Sequence, residues 1–406
     1  MLVNHIWKSH KLLRNHIPVF LKNNSNSKVN SGIILVVGML NSPHFHKWLQ
    51  GMQLEFPEKK LILFPSDRPR LTGSNLEKLK GDHKKTRVIQ FFYGWRLNYI
   101  WSVMFDKTIK LPWRSLFLGR VIVKYKPAII HFHEMQHGAY IYNYLVGYRK
   151  ISSETKTIIS TWGSDLTLYS WVDSHRTQIQ TSLNWAKVLT AEKVDEITDA
   201  SRLGFKGEFK APVYIHLGMK PRVQTEFSIP SSRNRIFLKG YQGIPGRALN
   251  GLAALSKISD LLQKFEVLVF SVSEATDAQI DLMRNRDGIN IRKVGGTHAE
   301  MQTLFQTARV TIGLSISDGL PASFIESMYA GSFPIHSKNS AIDKFITYGE
   351  NGFLVDPWNI DEIEKVLRIS LTDNDLVDRA SELNRIILNQ EYDISVGYKK
   401  MRALYQ

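Results

Sequence analysis

The chain has 406 residues, 43% of them hydrophobic, which suits a globular protein of two ordinary domains. It has no cysteine, which excludes disulfides and thiolate metal sites and is compatible with a cytoplasmic protein. Lys and Arg outnumber Asp and Glu by 53 to 37, and the resulting +16 favours an anionic partner: a nucleotide phosphate, an anionic lipid surface or a nucleic acid.

No run reaches the ~18 apolar residues of a membrane-spanning helix. The first residues lack the apolar core and cleavage site of a signal peptide, so none is expected. Residues 1–30 read as an extension: Leu2, Ile6, Leu13 and Ile17 have rough helical spacing around Lys8, Lys11 and Arg14, and a polar Asn-rich stretch follows. This suits a helix packed on the domain surface or a basic amphipathic helix on a membrane. Ile33 to Val37 has the continuous apolar character of a buried parallel strand. Gly38 begins a turn, a helix is expected from about Phe45, and Leu61 to Phe64 is a second strand. Strand, glycine turn and helix open a doubly wound domain.

Between Leu76 and Lys126 the chain carries twelve Lys or Arg against three Asp or Glu, a local charge of +9. Phe91, Tyr93, Trp95, Tyr99, Trp101 and Trp113 are interleaved. Such a mixture fits helices with lysines in water, a lipid interface, or a base-stacking surface. Ala128 to Phe132 is the next strand, and His131 and His133 alternate at its end beside Glu134 and His137. Alternation puts the two histidines on one face, but no third ligand stands at metal spacing. A satisfied core histidine remains open for either. Thr157 to Thr161 is a strand ending in Trp162, Gly163, Ser164 and Asp165. Val188 to Ala191 and Val213 to His216 complete the first series, and the polar, proline-containing residues 220–235 read as a linker.

A second series starts with the strand Ile236 to Leu238. Lys239, Gly240, Gly243, Gly246 and Arg247 follow, then a helix from about Ala248. A glycine-rich turn, two cations and a helix start make a diphosphate clamp. Glu266 to Ser271 and Ile291 to Val294 are strands, with Gly295, Gly296 and Thr297 after the latter and a helix from Met301 to Ala308. Val310 to Ile316 is a strand that turns at Asp318 and Gly319 into a helix from Ala322 to Ala330, with Pro321 in its first turn and Gly331 as its C-cap. The N–H groups from Gly319 through Leu320, Pro321 and Ala322 to Ser323, proline's own excepted, are placed to meet a phosphate. Asp318 and Glu326, with seven residues between them, suit sugar hydroxyls, although acids at a helix start also simply favour the dipole. Strands Phe333 to His336 and Phe353 to Val355 and two helical stretches, about Asp361 to Ile386 and Ile394 to Tyr405, end the chain.

The stretch with Asp318, Glu326, Ser327, Met328, Gly331 and Ser337, continued by Gly349, Asn351, Gly352, Leu354, Val355 and Pro357, resembles the nucleotide-sugar signature of retaining GT-B glycosyltransferases of family GT4. Asp318 stands where the family usually has Glu, and Trp162 where it often has His. The resemblance implies an α/β fold of two doubly wound, Rossmann-like domains facing a cleft. Their expected limits are 31–219 for an acceptor-binding domain and 236–390 for a nucleotide-sugar domain, with the helix at 391–406 returning to the first. It implies that Lys239 and Arg247 meet the diphosphate, that Glu326 holds the ribose and that Asp318 faces the donor sugar. It further implies that the loop of Gly295, Gly296, Thr297 and His298 meets the base, mainly through backbone, that Gly38, Gly240 and Asp165 belong to the cleft, and that His133 is an acceptor-side histidine.

The implied reaction moves a sugar from a UDP- or GDP-sugar to a glycan or polyprenyl-linked acceptor, with retention and without an obligatory metal or cofactor, as in bacterial surface polysaccharide synthesis. The implied setting is the cytoplasmic face of an anionic membrane, with no nucleic-acid partner. A GT-B epimerase or phosphorylase and a non-catalytic basic protein of the membrane surface are the alternatives.

Overall fold

The structure, a computed structural model, describes residues 29–66, 77, 79–81, 83–89, 114–146, 152–213, 228–243, 246–338 and 341–406. The expected amphipathic extension, most of the basic aromatic stretch and the first half of the expected linker lie outside these residues.

Continuous apolar runs became central strands because both of their faces are covered. In β1 (Asn30–Gly38), Leu35 and Val37 enter one core while Ile34 and Val36 enter another on the opposite face. Around it lie β2 (Lys60–Pro65), β3 (Thr86–Val88), β4 (Pro127–His133), β5 (Lys156–Ser160), β6 (Val188–Thr190) and β7 (Glu208–Lys210). The seven strands are parallel, in the order β3-β2-β1-β4-β5-β6-β7. The second sheet holds β8 (Arg235–Lys239), β9 (Glu266–Phe270), β10 (Ile291–Lys293), β11 (Ala308–Gly313), β12 (Phe333–Ser337) and β13 (Phe353–Val355), in the parallel order β10-β9-β8-β11-β12-β13. Its two faces are likewise separate: Ile236, Leu238 and Val269 on one, Phe237, Leu268 and Phe270 on the other.

In each sheet the strand order reverses once, between β1 and β4 and between β8 and β11, and such a switch point opens a crevice at the strands' C-terminal ends. The chain returns at its end. The helix Ile394–Tyr405 lays Met401, Leu404 and Tyr405 into the first-domain core beside Trp48, and the Tyr405 hydroxyl meets His131 Nδ1 at 2.5 Å.

Several local details differ from expectation. The last strand of the first sheet among the described residues is Glu208–Lys210, a strand not expected from the sequence; of the strand expected over 213–216 only Val213 is described, the rest lying outside the described residues. The second half of the expected linker is docked: Ser231 donates from its N–H and its hydroxyl to Asp378, at 2.8 and 2.6 Å, and the buried Arg233 guanidinium donates to the carbonyls of Ala308 and Ala330. The helix expected from Met301 runs instead from His298 to Phe305, because Thr297 and Glu300 form a reciprocal capping box that sets its start. Pro321 is the N-cap of the helix Ala322–Tyr329, with extended backbone at ψ 133°, and not a residue of its first turn.

Candidate functional site

The crevices of the two sheets face each other across one cleft of about 590 Å³, lined from both domains. The second-domain wall begins where β11 ends. Ser315 Oγ accepts the N–H of Asp318 at 2.9 Å and so folds the turn that follows. Gly319, Leu320 and Pro321 then lead into the helix Ala322–Tyr329, and Gly331, at φ +79°, ends it in the left-handed region open to glycine. Ala322 and Ser323 stand in the first turn, where no intrahelical acceptor exists for their N–H groups, and both line the cleft. Lys239, at the end of β8, reaches across and pairs with Asp318 Oδ2 at 3.0 Å. Glu326 is buried one turn into the helix, and its carboxylate meets His298 Nε2 and Gln302 Nε2. Phe270, Met301 and Phe305 add an apolar patch beside it.

The first-domain wall consists of Glu134, Gln136, His137, Trp162, Gly163, Ser164, Asp165, Tyr169 and Glu192. Asp165 ties two loops together: its Oδ2 accepts the N–H of Met135 at 3.0 Å and that of Trp162 at 2.9 Å. Burial pushes its carboxyl up to about 7 against the pull of those two N–H bonds. Behind it Glu196, wholly buried, accepts from the Thr161 hydroxyl at 2.9 Å and is pushed up to about 8, by burial first and the Asp165 charge second.

The walls touch. Ser164 Oγ and Ser317 Oγ are 2.7 Å apart, and the Leu320 N–H donates to Glu192 Oε2 at 2.8 Å. A Cβ on Gly163, which sits at φ +32°, would run into the backbone of Asp318 and Gly319. Three non-glycine residues have positive φ among those described, and two of them, Glu134 at 61° and Ser271 at 54°, line the cleft. Backbone strain of this kind collects where a fold over-determines a site.

The cleft therefore brings together Lys239, Asp318, Gly319, Leu320, Pro321, Ala322, Ser323, Glu326 and Asp165. It does not bring Arg247, whose guanidinium donates to the carbonyls of Gly243 and Gly246 at 2.5 and 2.7 Å and lies 4.2 Å from the Trp358 ring centroid. Nor does His133 line it: the ring is buried against Trp48, Phe45 and His131, neither nitrogen has a partner, and burial lowers its pKa to about 3. Gly38 and Gly240 are packing glycines at strand ends, where a Cβ would press on Phe45 and His133 or on Val269. Gly296 and Thr297 are exposed at the start of the His298 helix, and His298, not they, reaches the cleft.

Sequence reasoning did not single out Glu192, Tyr169 or Ser271 as site residues, and it gave His298 only a place in a loop that meets the base mainly through backbone, not the side-chain contact with Glu326. Of these, Glu192, one residue past Ala191, carried a signal: an acid directly after a buried strand. Among the described residues no group of three or more His, Asp or Glu is arranged to hold a metal.

Residues 259–386 match a family model described as "Glycosyl transferases group 1". No curated protein matches the chain. Among solved structures, the sucrose-phosphate synthase of Thermosynechococcus elongatus superposes with a TM-score of 0.67 at 14% identity, over 92% of this chain and 98% of that one. A glycosyltransferase from Rickettsia africae gives 0.65 at 16%, over 93% and 98%. Anabaena HepE, solved with UDP-glucose, gives 0.66 at 10%, over 92% and 98%. At these identities the likeness is one of fold.

Proposed function

We propose that this chain, a GT-B protein whose second domain is a group 1 glycosyltransferase domain, moves a sugar from a nucleoside diphosphate sugar to a hydroxyl acceptor with retention at the anomeric carbon. The observation that carries the reading is the convergence, on one wall, of the first-turn N–H groups at Ala322 and Ser323, the Lys239 ammonium and the buried Glu326 carboxylate. A diphosphate needs the N–H groups and the ammonium, and a ribose needs the carboxylate as acceptor for its hydroxyls. HepE was solved with UDP and with UDP-glucose, which supports UDP as the first nucleotide to try here.

In the proposed mechanism, negative charge develops on the β-phosphate as the sugar leaves. Lys239 and the helix N–H groups meet it, already oriented, in a partly dry cleft. Lys239 is itself held by Asp318, so the ammonium is placed before the donor arrives. Glu326, turned by His298, keeps one carboxylate oxygen for the ribose hydroxyls. Asp318 faces the donor sugar. The acceptor attacks from the face the leaving group departs, and the phosphate oxygen takes the acceptor's proton. Arg247 is read as holding its own loop against Trp358 and has no part in this clamp.

No divalent ion is required in this reading, because phosphate charge is met by Lys239 and backbone N–H groups. Activity should persist in excess EDTA; complete loss, restored by Mg²⁺ or Mn²⁺, would contradict the clamp. The donor reading is tested by titrating UDP and GDP against the protein in a calorimeter and following protection from unfolding. Absence of binding by both overturns it.

The acceptor is proposed to be a glycan or polyprenyl-linked glycan at an anionic membrane surface, on the strength of the +9 charge and the aromatic residues between Leu76 and Lys126. Among the described residues no helix is long and apolar enough to cross a membrane. Co-sedimentation with anionic but not neutral liposomes, fading as salt shortens the Debye length from ~10 Å at 0.1 M to ~3 Å at 1 M, is the expected result. Equal partitioning onto both, or onto neither, would point to a soluble acceptor.

A further inference from the structure

The N–H of Leu320 lies in the middle of the loop assigned above to the diphosphate, yet its partner is a carboxylate from the other domain: Glu192 Oε2, at 2.8 Å. The same oxygen lies against Gly319, so closely that a Cβ there would collide with it. An anion of this chain thus occupies the position over Gly319 and Leu320 that a phosphate oxygen would take. Both Glu192 and this loop line the cleft.

We propose that Glu192 competes with the donor's diphosphate for the Leu320 N–H, so that donor binding releases this contact between the two domains. The inference rests on the nucleotide-sugar reading and goes beyond it, because it gives the first domain a residue that opposes the donor's charge.

Two features of the surroundings support it. Asp318 and Asp165 face Glu192 from the loop and from the first domain, with Lys344 as the opposing cation, so an arriving diphosphate would meet several carboxylates beside one another. Burial pushes the Glu192 carboxyl up to about 7 against the pull of the Leu320 N–H, and the Asp318 and Asp165 charges add to the rise. A carboxylate so poised gives up its charge more readily than an ordinary glutamate when a second anion approaches. The exchange also has a structural consequence. The Ser164–Ser317 hydrogen bond is the neighbouring link between the walls, and once Glu192 leaves Leu320 it remains with the packing of Gly163 on the Asp318–Gly319 backbone to join the tips of these loops.

The test is calorimetric titration of UDP and of uridine into the wild-type protein, Glu192→Gln and Glu192→Asp, each first checked for a cooperative melt. Gln keeps the size and removes the charge. Asp keeps the charge but shortens its reach, and it serves where the Gln variant does not fold. Glu192→Gln should bind UDP roughly 3- to 10-fold tighter than wild type, the effect of removing one like charge from a partly screened site, and Glu192→Asp, whose shorter side chain gives up the Leu320 N–H, should gain in the same direction by less, while uridine affinity stays unchanged in both. In steady-state assays the gain should appear in KM for the donor, and kcat should not rise. Weaker or unchanged UDP binding in both variants overturns the proposal, as does an equal gain for uridine, which has no phosphate to compete. Failure of the wild-type protein to bind UDP or GDP would be a different outcome, overturning the donor reading itself.

Discussion

The second-domain wall of the cleft presents Lys239 and the open first turn of a helix, whereas the first-domain wall presents Glu134, Asp165 and Glu192, with Glu196 behind them. The second-domain wall carries the ammonium and the open N–H groups beside Asp318 and Glu326, and the first-domain wall carries acids with no Lys or Arg among its lining residues. The second-domain wall is also local: a strand end, a turn and a helix within about fifteen residues supply most of it. The first-domain wall is assembled from three separated loops, and burial raises the carboxyls of Asp165 and Glu192 on it. The contrast teaches that the groups proposed to meet the donor and the buried carboxyls come from different domains, and that Glu192, at the Leu320 N–H, is where the two walls compete.

The largest effect should come from the backbone contact between the walls. Gly163→Ala forces a Cβ into the Asp318–Gly319 backbone at a residue already at φ +32°. A misplacement of about 1 Å at a catalytic loop can cost about 100-fold, so kcat/KM should fall by at least about that much. Each domain should still melt cooperatively, and small-angle scattering should show a more open particle. A variant with wild-type turnover would show that the walls do not need this contact.

Next come two substitutions that separate phosphate from ribose. Lys239→Ala should weaken UDP by about 1.5–3 kcal/mol, the range for hydrogen bonds to charged groups, and leave uridine unaffected. Glu326→Gln should weaken both ligands by a similar amount, because both carry the ribose. If uridine binding survives Glu326→Gln intact, the carboxylate does not hold the ribose.

A smaller effect concerns stability and pH on the first-domain wall. Glu196 titrates at about 8 in the folded protein and near 4.3 in an unfolded chain. Between those values the native state holds a proton that the unfolded state has lost, so this group's contribution to stability falls as pH rises from about 4.3 to 8 and is flat above. Asp165 and Glu192, each pushed up to about 7, act in the same direction. Glu196→Gln should therefore lose less Tm than wild type between pH 5 and pH 8. Parallel melting curves for the two proteins would remove Glu196 from the account.

The smallest effect is expected at Arg247, which the structure keeps on Trp358. Arg247→Ala should change UDP affinity by less than about threefold, the scale of an exposed charge contact. A loss as large as that of Lys239→Ala would return Arg247 to the diphosphate clamp.

What could be read from the chain by itself was what depends on neighbours in sequence. Apolar runs such as Ile33 to Val37 announced parallel strands, since a strand covered on both faces needs no alternation. The spacing of Asp318, Gly319, Glu326 and Gly331 set out the loop and helix of the second-domain wall, because helix ends and caps are local chemistry. Tertiary structure alone decided the rest. His133 has the residue type and strand-end position of a site histidine, yet Trp48 and Phe45, from a helix nearly ninety residues away, bury it. Arg247 carries the right charge in a glycine-rich turn, but two carbonyls and the Trp358 ring hold it elsewhere. Glu192 reaches Leu320, 128 positions further along the chain, and no periodicity or propensity records a contact made only when two domains meet.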